Sequence, residues 1–184
     1  MKNKKVFTGV IFLCLVFVIL FLILSKPIMK NTENKFALLV ESSAFKDNEL
    51  MPAKFTCDGN GTNPPVKISN IPSEAKTLSL IMEDPDAPSG TFIHWVKWNI
   101  PVLSSSFEIK ENEEPAGISG SGTIRNLKYI APCPPSGIHR YIFNFYALDE
   151  AVDLKQGSQA SDLMESMKNH ILAEGKLIGL YKRN

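Results

Sequence analysis

Two short stretches of this 184-residue chain carry ionisable side chains at spacings that suit binding chemistry. The first is Asp84, Pro85, Asp86, Ala87, Pro88, followed by His94 and Trp95. The second is Pro134, Pro135, Ser136, Gly137, Ile138, His139, Arg140, Tyr141. Each sets polar groups where a Pro/Gly-rich loop meets an aromatic run, at the mouth of a core rather than within it. Two imidazoles supply N–H donors, and partial protonation near neutral pH adds positive charge. Tyr141 adds a hydroxyl. That set suits a phosphoryl group, which is held by several fixed donors. Asp84 would repel such a group. It either accepts an imidazole N–H, fixing the tautomer and favouring the charged ring, or accepts from the amine or hydroxyl end of a headgroup. Two histidines and a carboxylate are equally the ligand set of a metal site, so a metal-assisted or histidine-based hydrolase is the alternative class. Against catalysis, there is no G-x-S-x-G, no H-E-x-x-H and no Cys/His pair at metal spacing, and Ser136 is a turn serine. The plain structural readings are a core histidine on a strand and aspartates that organise Asp-Pro turns.

These groups need strands to hold them. Residues 77–82 (TLSLIM), 92–100 (FIHWVKWNI) and 141–148 (YIFNFYAL) are rich in aromatic and β-branched types, with shorter runs at 37–40 and 177–181. Turn-rich stretches separate them, as at 58–61, 63–65, 84–88 and 132–137. Short strands so punctuated predict a mainly β chain, an antiparallel sandwich with Greek-key connections. Alternate strand residues share a face, which places His94 with Val96 and Trp98, and His139 with Tyr141 and Phe143. If the two strands are neighbours, both imidazoles line one pocket with an aromatic wall. Trp95 and Trp98 read as core. One helix is expected late, from Leu163, Met164, Met167 and Ile171 at spacings of three and four. Ser161 is its expected cap and Gly175 its end. His170 on that helix reads as surface chemistry.

The two motifs in this order resemble the signature of the phosphatidylethanolamine-binding proteins, also called Raf-kinase-inhibitor-like proteins, with the bacterial-type branch nearer. Phe55-Thr-Cys-Asp-Gly59, Asn63-Pro-Pro65, Trp98-Asn-Ile-Pro101 and the tail from His170 to Tyr181 extend the likeness over residues 41–183. The resemblance implies an antiparallel sandwich with one or two short helices near the C-terminus and a small anion pocket. Its pocket residues would be Asp84, His94, His139 and Tyr141, with Pro134 and Pro135 shaping the rim. Asp86 and Arg140 would form a structural ion pair beneath it. It also implies a non-catalytic binding module for a phospholipid headgroup or phosphorylated small molecule, one that modulates a partner such as a protease or kinase. The chain departs from the family pattern in one loop, where Gly122, Arg125 and Ala131 stand at positions expected to be Asn, Gly and Gly. The departures at Gly122 and Arg125 support a further alternative, a structural envelope protein whose pocket is vestigial. No cofactor is implied.

Outside the likeness, residues 6–24 form an uncharged, nearly all-apolar run of 19 residues. As a helix it spans roughly 28 Å, close to a hydrocarbon core of about 30 Å. Lys2, Lys4 and Lys5 precede it, so residues 1–5 are expected to stay cytoplasmic. The expectation is a single-pass signal-anchor, a polar tether over 25–35 and an extracytoplasmic binding domain over 36–184. The alternative is a protein secreted after cleavage, although no small-x-small site follows Leu24. Export would place Cys57 and Cys133 where disulfides persist, and they are expected to pair rather than remain free thiols. The net charge of +1 gives no mark of nucleic-acid binding. From Lys26 onward, 17 basic residues face 19 acidic ones, a balance of −2.

Overall fold

The structure, a computed structural model, describes residues 36–183. The expected membrane segment at 6–24 lies outside the described residues, and among those described no helix is long and apolar enough to cross a membrane. Ten strands follow in chain order: β1 (Phe36–Ala37), β2 (Leu39–Glu41), β3 (Glu49–Leu50), β4 (Val66–Ser69), β5 (Thr77–Asp84), β6 (Phe92–Pro101), β7 (Ser106–Ile109), β8 (Ile118–Ser119), β9 (His139–Leu148) and β10 (Ile171–Tyr181). A single-turn 3-10 helix occupies Ala53–Phe55, and one α-helix, α1, spans Ala160–Met167. Of the one or two short helices expected near the C-terminus, α1 is the one found among the described residues.

Seven strands form one sheet, in the order β1-β10-β9-β5-β6-β8 with β3 also on β10, and β2-β4-β7 form a second. The expected antiparallel pairing holds along the centre, but β1 and β3 both run parallel to β10, so the large sheet is mixed. Val40, Val66, Ile68 and Ile109 of the small sheet pack on Leu78, Leu80, Met82, Trp95, Phe143 and Phe145 of the large one. A second layer lies on the opposite face, where Leu163 and Met167 of α1 cover Ile81, Val96, Trp98 and Leu148. Strand β5 is thus covered on both sides, which is why it reads as a nearly continuous apolar run instead of an alternating one. Burying side chains as large as Trp95 and Phe143 contributes about 1.5–3 kcal/mol each.

The helix is shorter than its spacing predicts. Gln159, not Ser161, is the N-cap, and with Asp162 it forms a capping box. Met164 is 42% exposed while Leu163 and Met167 are buried. Ile171 and Gly175 belong to β10, whose pairing with β9 runs from Ile171 to Tyr181 and outweighs the local helical periodicity. Gly175 is needed there for close packing, because a Cβ would collide with the Leu38 carbonyl.

Candidate functional site

Three strand ends and one loop meet at a hollow of about 240 Å³, lined by Asp84, His94, Pro135, His139 and Tyr141 together with Ala87, Pro88, Phe92, Ile130, Ala131 and Cys133. Of the residues expected from sequence, Pro134 alone is not on this lining, and it is buried. Phe92, Ile130, Ala131, Cys133, Ala87 and Pro88 were not anticipated. Phe92 had a readable signal, since it precedes His94 by two residues in the same aromatic run, and its ring centroid lies 4.7 Å from the imidazole.

Strand β9 alternates regularly, so His139 shares its inward face with Tyr141 and Phe143 as expected. Strand β6 does not. Met82 pairs with Trp95 and Glu83 with Ile93, which leaves His94 as an extra residue, a β-bulge. The bulge turns His94 away from Val96 and Trp98, which pack in the second layer, and toward Tyr141, with ring centroids 5.3 Å apart. The strands are not neighbours either: β5 lies between β6 and β9.

Asp84 ends β5 and is buried. Its Oδ1 accepts the Asp86 N–H at 2.9 Å, an Asx turn that reverses the chain, and its Oδ2 accepts from His139 Nδ1 at 2.7 Å. His94 Nδ1 donates to the Ile130 carbonyl at 2.8 Å. Carboxylates and carbonyls only accept, so both rings carry their proton on Nδ1 and present Nε2 without a partner among the described residues. Burial pushes the His94 imidazole below its ordinary value, against smaller upward pulls from the Ile130 carbonyl and from Asp84. The Tyr141 hydroxyl is buried with no well-formed hydrogen bond. Burial foremost, then the negative charge of Asp84 and a loose hydrogen bond with its carboxyl, raise the Tyr141 pKa.

Asp86 and Arg140 do pair, at the surface and not beneath the pocket. Asp86 accepts from Arg140 Nη2 at 2.7 Å, from its Nε at 2.9 Å and from its backbone N–H at 2.9 Å. These bonds, the guanidinium ones foremost, hold the Asp86 carboxyl down to about 2. Cys57 and Cys133 form a disulfide with Cα atoms 5.4 Å apart. With the Cys57 N–H donating to the Pro132 carbonyl at 3.0 Å and the Tyr129 hydroxyl to the Phe55 carbonyl at 2.9 Å, it moors the loop that forms the rim.

Asp84, His94 and His139 share the hollow but do not bring their ligand atoms within 4.8 Å of one another. Among the described residues, the side chains that bring ligand atoms within 4.8 Å of one another are Asp149, Glu150 and His170. There the His170 ring spans the half-buried Asp149 and the exposed Glu150, with Nδ1 2.9 Å from Asp149 and Nε2 3.3 Å from Glu150.

A family model described as phosphatidylethanolamine-binding protein matches residues 41–182. A UPF0098 protein of Methanothermobacter thermautotrophicus is 45% identical over 150 residues, covering 78% of this chain and 98% of its own. One from Chlamydia muridarum is 40% identical, covering 78% and 97%. A crystal structure described as a phosphatidylethanolamine-binding protein homologue from Chlamydia trachomatis aligns with a TM-score of 0.76 at 37% identity, covering 80% of this chain and 99% of its own. Escherichia coli YbcL aligns with a TM-score of 0.72 over 80% and 99%, but at 22% identity that likeness shows the fold alone.

Proposed function

This chain belongs to the phosphatidylethanolamine-binding protein family, and from that premise we propose that it is a non-catalytic binding module whose histidine pocket takes a phosphoryl group. The observation that carries this reading is the pair of Nδ1 bonds. With both Nδ1 atoms committed, to Asp84 and to Ile130, two Nε2 atoms and the Tyr141 hydroxyl are what the chain offers to a ligand. When a ring is protonated its Nε2–H donates to an anionic oxygen; when neutral it accepts from a phosphate O–H. The hollow of about 240 Å³ is smaller than the roughly 300–1,000 Å³ that suits drug-sized ligands. It accommodates a phosphoryl group with a short alcohol, such as a phospholipid headgroup or a phosphorylated small molecule, and not acyl chains. Pairing Asp84 with His139 keeps the carboxylate turned to the ring.

The domain is proposed to work outside the cytoplasm, tethered through residues 6–24. The Cys57–Cys133 disulfide supports that placement, since such bonds persist in oxidising compartments. An extracytoplasmic protease fits this location better than a cytoplasmic kinase as the partner to be modulated. Isothermal titration of the full chain with inorganic phosphate and with O-phosphoethanolamine tests the pocket. Saturable binding that is lost in His139→Ala is expected. Absence of binding, or equal binding by the variant, would refute the reading.

A further inference from the structure

A larger hollow, of about 820 Å³, opens on the other side of β6, bounded by the loop after β8 and by the start of α1. Ile93, Thr123, Arg125, Leu127, Gln159 and Ser161 are on its lining, which contains no aspartate or glutamate. Ile93 packs with the second core layer while His94 faces the first, so the two hollows belong to opposite faces of the large sheet.

Arg125 is the one ionisable group on this lining. The chain has three arginines, and the other two are bound to carboxylates, Arg140 to Asp86 and Arg183 to Asp58. Arg125 has no carboxylate within ion-pair distance among the described residues. Its backbone is at φ 61°, the left-handed region that suits glycine and strains an arginine. Around it, Thr123 Oγ accepts the Ile93 N–H at 2.8 Å, which leaves the hydroxyl proton to be donated, and Ser161 adds a second hydroxyl. Ile93 and Leu127 supply an apolar wall. Gly122 keeps the floor low, since a Cβ there would come within 2.8 Å of the Ile93 carbonyl oxygen.

We infer that this hollow is a second binding site, for a small organic oxyanion whose acid group sits on the Arg125 guanidinium and whose apolar part lies on Ile93 and Leu127. A guanidinium with no internal partner, facing a cavity free of acids, is a ready bidentate donor for a carboxylate or a phosphate. The volume lies within the range of small-molecule sites.

The test is a nitrogen-15 NMR titration of the full chain in non-ionic detergent with benzoate, phenyl phosphate and the uncharged benzamide. The two acids separate carboxylate from phosphate preference. The Arg125 Nε–H signal and the amides of residues 121–127 and 159–161 are expected to shift saturably with at least one acid and not with benzamide. Arg125→Gly should weaken that acid by at least about tenfold while leaving Tm unchanged or raised, because glycine suits the backbone. Arg125→Lys should retain part of the affinity. Equal shifts with benzamide, undiminished binding by Arg125→Gly, or shifts confined to the amides around His94 and His139 would overturn the inference. The last result would leave the histidine pocket standing.

Discussion

Replacing Asp84 by asparagine isolates what the buried carboxylate does. The side chain is 5% exposed, and its two oxygens each hold one donor, the His139 Nδ1–H at 2.7 Å and the Asp86 N–H at 2.9 Å. Asparagine keeps the shape but has one acceptor, so it serves one donor and turns its own amide N–H toward the other. A hydrogen bond to a charged group contributes about 1.5–3 kcal/mol, and a buried donor left unmatched costs about 1–3 kcal/mol. With partial relaxation the expected loss is about 2–4 kcal/mol, less than the roughly 3–5 kcal/mol of removing a buried partner outright, as Asp84→Ala would. For a domain of this size that is a fall in Tm of roughly 5–15 °C, readable by scanning calorimetry. Binding then separates two accounts of the carboxylate. If it positions His139, Asp84→Asn weakens phosphate binding even though the site has lost a negative charge. If it merely repels, the variant binds more tightly. A Tm within about 1 °C of the parent, or tighter phosphate binding, would refute the positioning argument.

Three further outcomes follow from the same geometry. Tyr141→Phe removes a buried hydroxyl that has no well-formed partner, so stability measured by urea unfolding should change by less than about 1 kcal/mol while phosphate affinity falls; a larger loss would mean that the hydroxyl is satisfied internally. His94 is held below its ordinary 6.5 by burial, so the folded state binds fewer protons than the unfolded chain. Its contribution is complete above that pH and is lost as pH falls through the region below it. His94→Gln should flatten the stability profile there, and an unchanged profile would sink the argument. In the parent, phosphate should draw a proton onto this ring, making the binding heat depend on buffer ionisation enthalpy. Finally, reducing the Cys57–Cys133 bridge, which closes a separation of 76 residues, should lower stability by about 2–4.5 kcal/mol on the loop-entropy account and weaken phosphate binding. An unaltered binding isotherm after reduction would show that the rim is held without it.

Sequence made legible whatever obeyed a single period. Strand β9 alternates without interruption, so the shared face of His139, Tyr141 and Phe143 could be read directly. The cysteine pair followed from expecting export, not from geometry. His94 was readable as a pocket residue through motif resemblance alone, because the bulge at that residue resets the alternation and no residue type announces a bulge of this kind. Two of the three small-sheet strands, VKIS and SFEI, are four residues each and partly exposed, too short to carry a periodic signal. Ile171 fits a helical stripe locally, and only its long-range partner Leu148 decides that it is a strand residue. Arg125 stood out as an arginine where glycine was expected, and the structure gives that substitution its physical content: a left-handed backbone beside a hollow.

Interposing β5 between β6 and β9 opens the hollow in a way that direct pairing of the two strands would not. Had β6 and β9 been neighbours, about 4.8 Å apart, their inward side chains would have packed on one another and closed the space. With β5 between them the separation is roughly twice that spacing, and β5 stops at Asp84 where Pro85 and the Asx turn take the chain away. There β6 begins, with Phe92 paired to Asp84, whereas β9 reaches past the end of β5 to His139. The bulge then supplies the imidazole on one side, and the first residue of β9 supplies the imidazole on the other. The spacing of the two rings is therefore set by the interposed β5, and the polarity of the hollow by two ring nitrogens whose partners are already fixed. On the function proposed above, such a hollow would select by size first: a phosphoryl group would enter it, while a bulkier head would leave its remainder at the rim held by Pro135 and the Cys133 bridge.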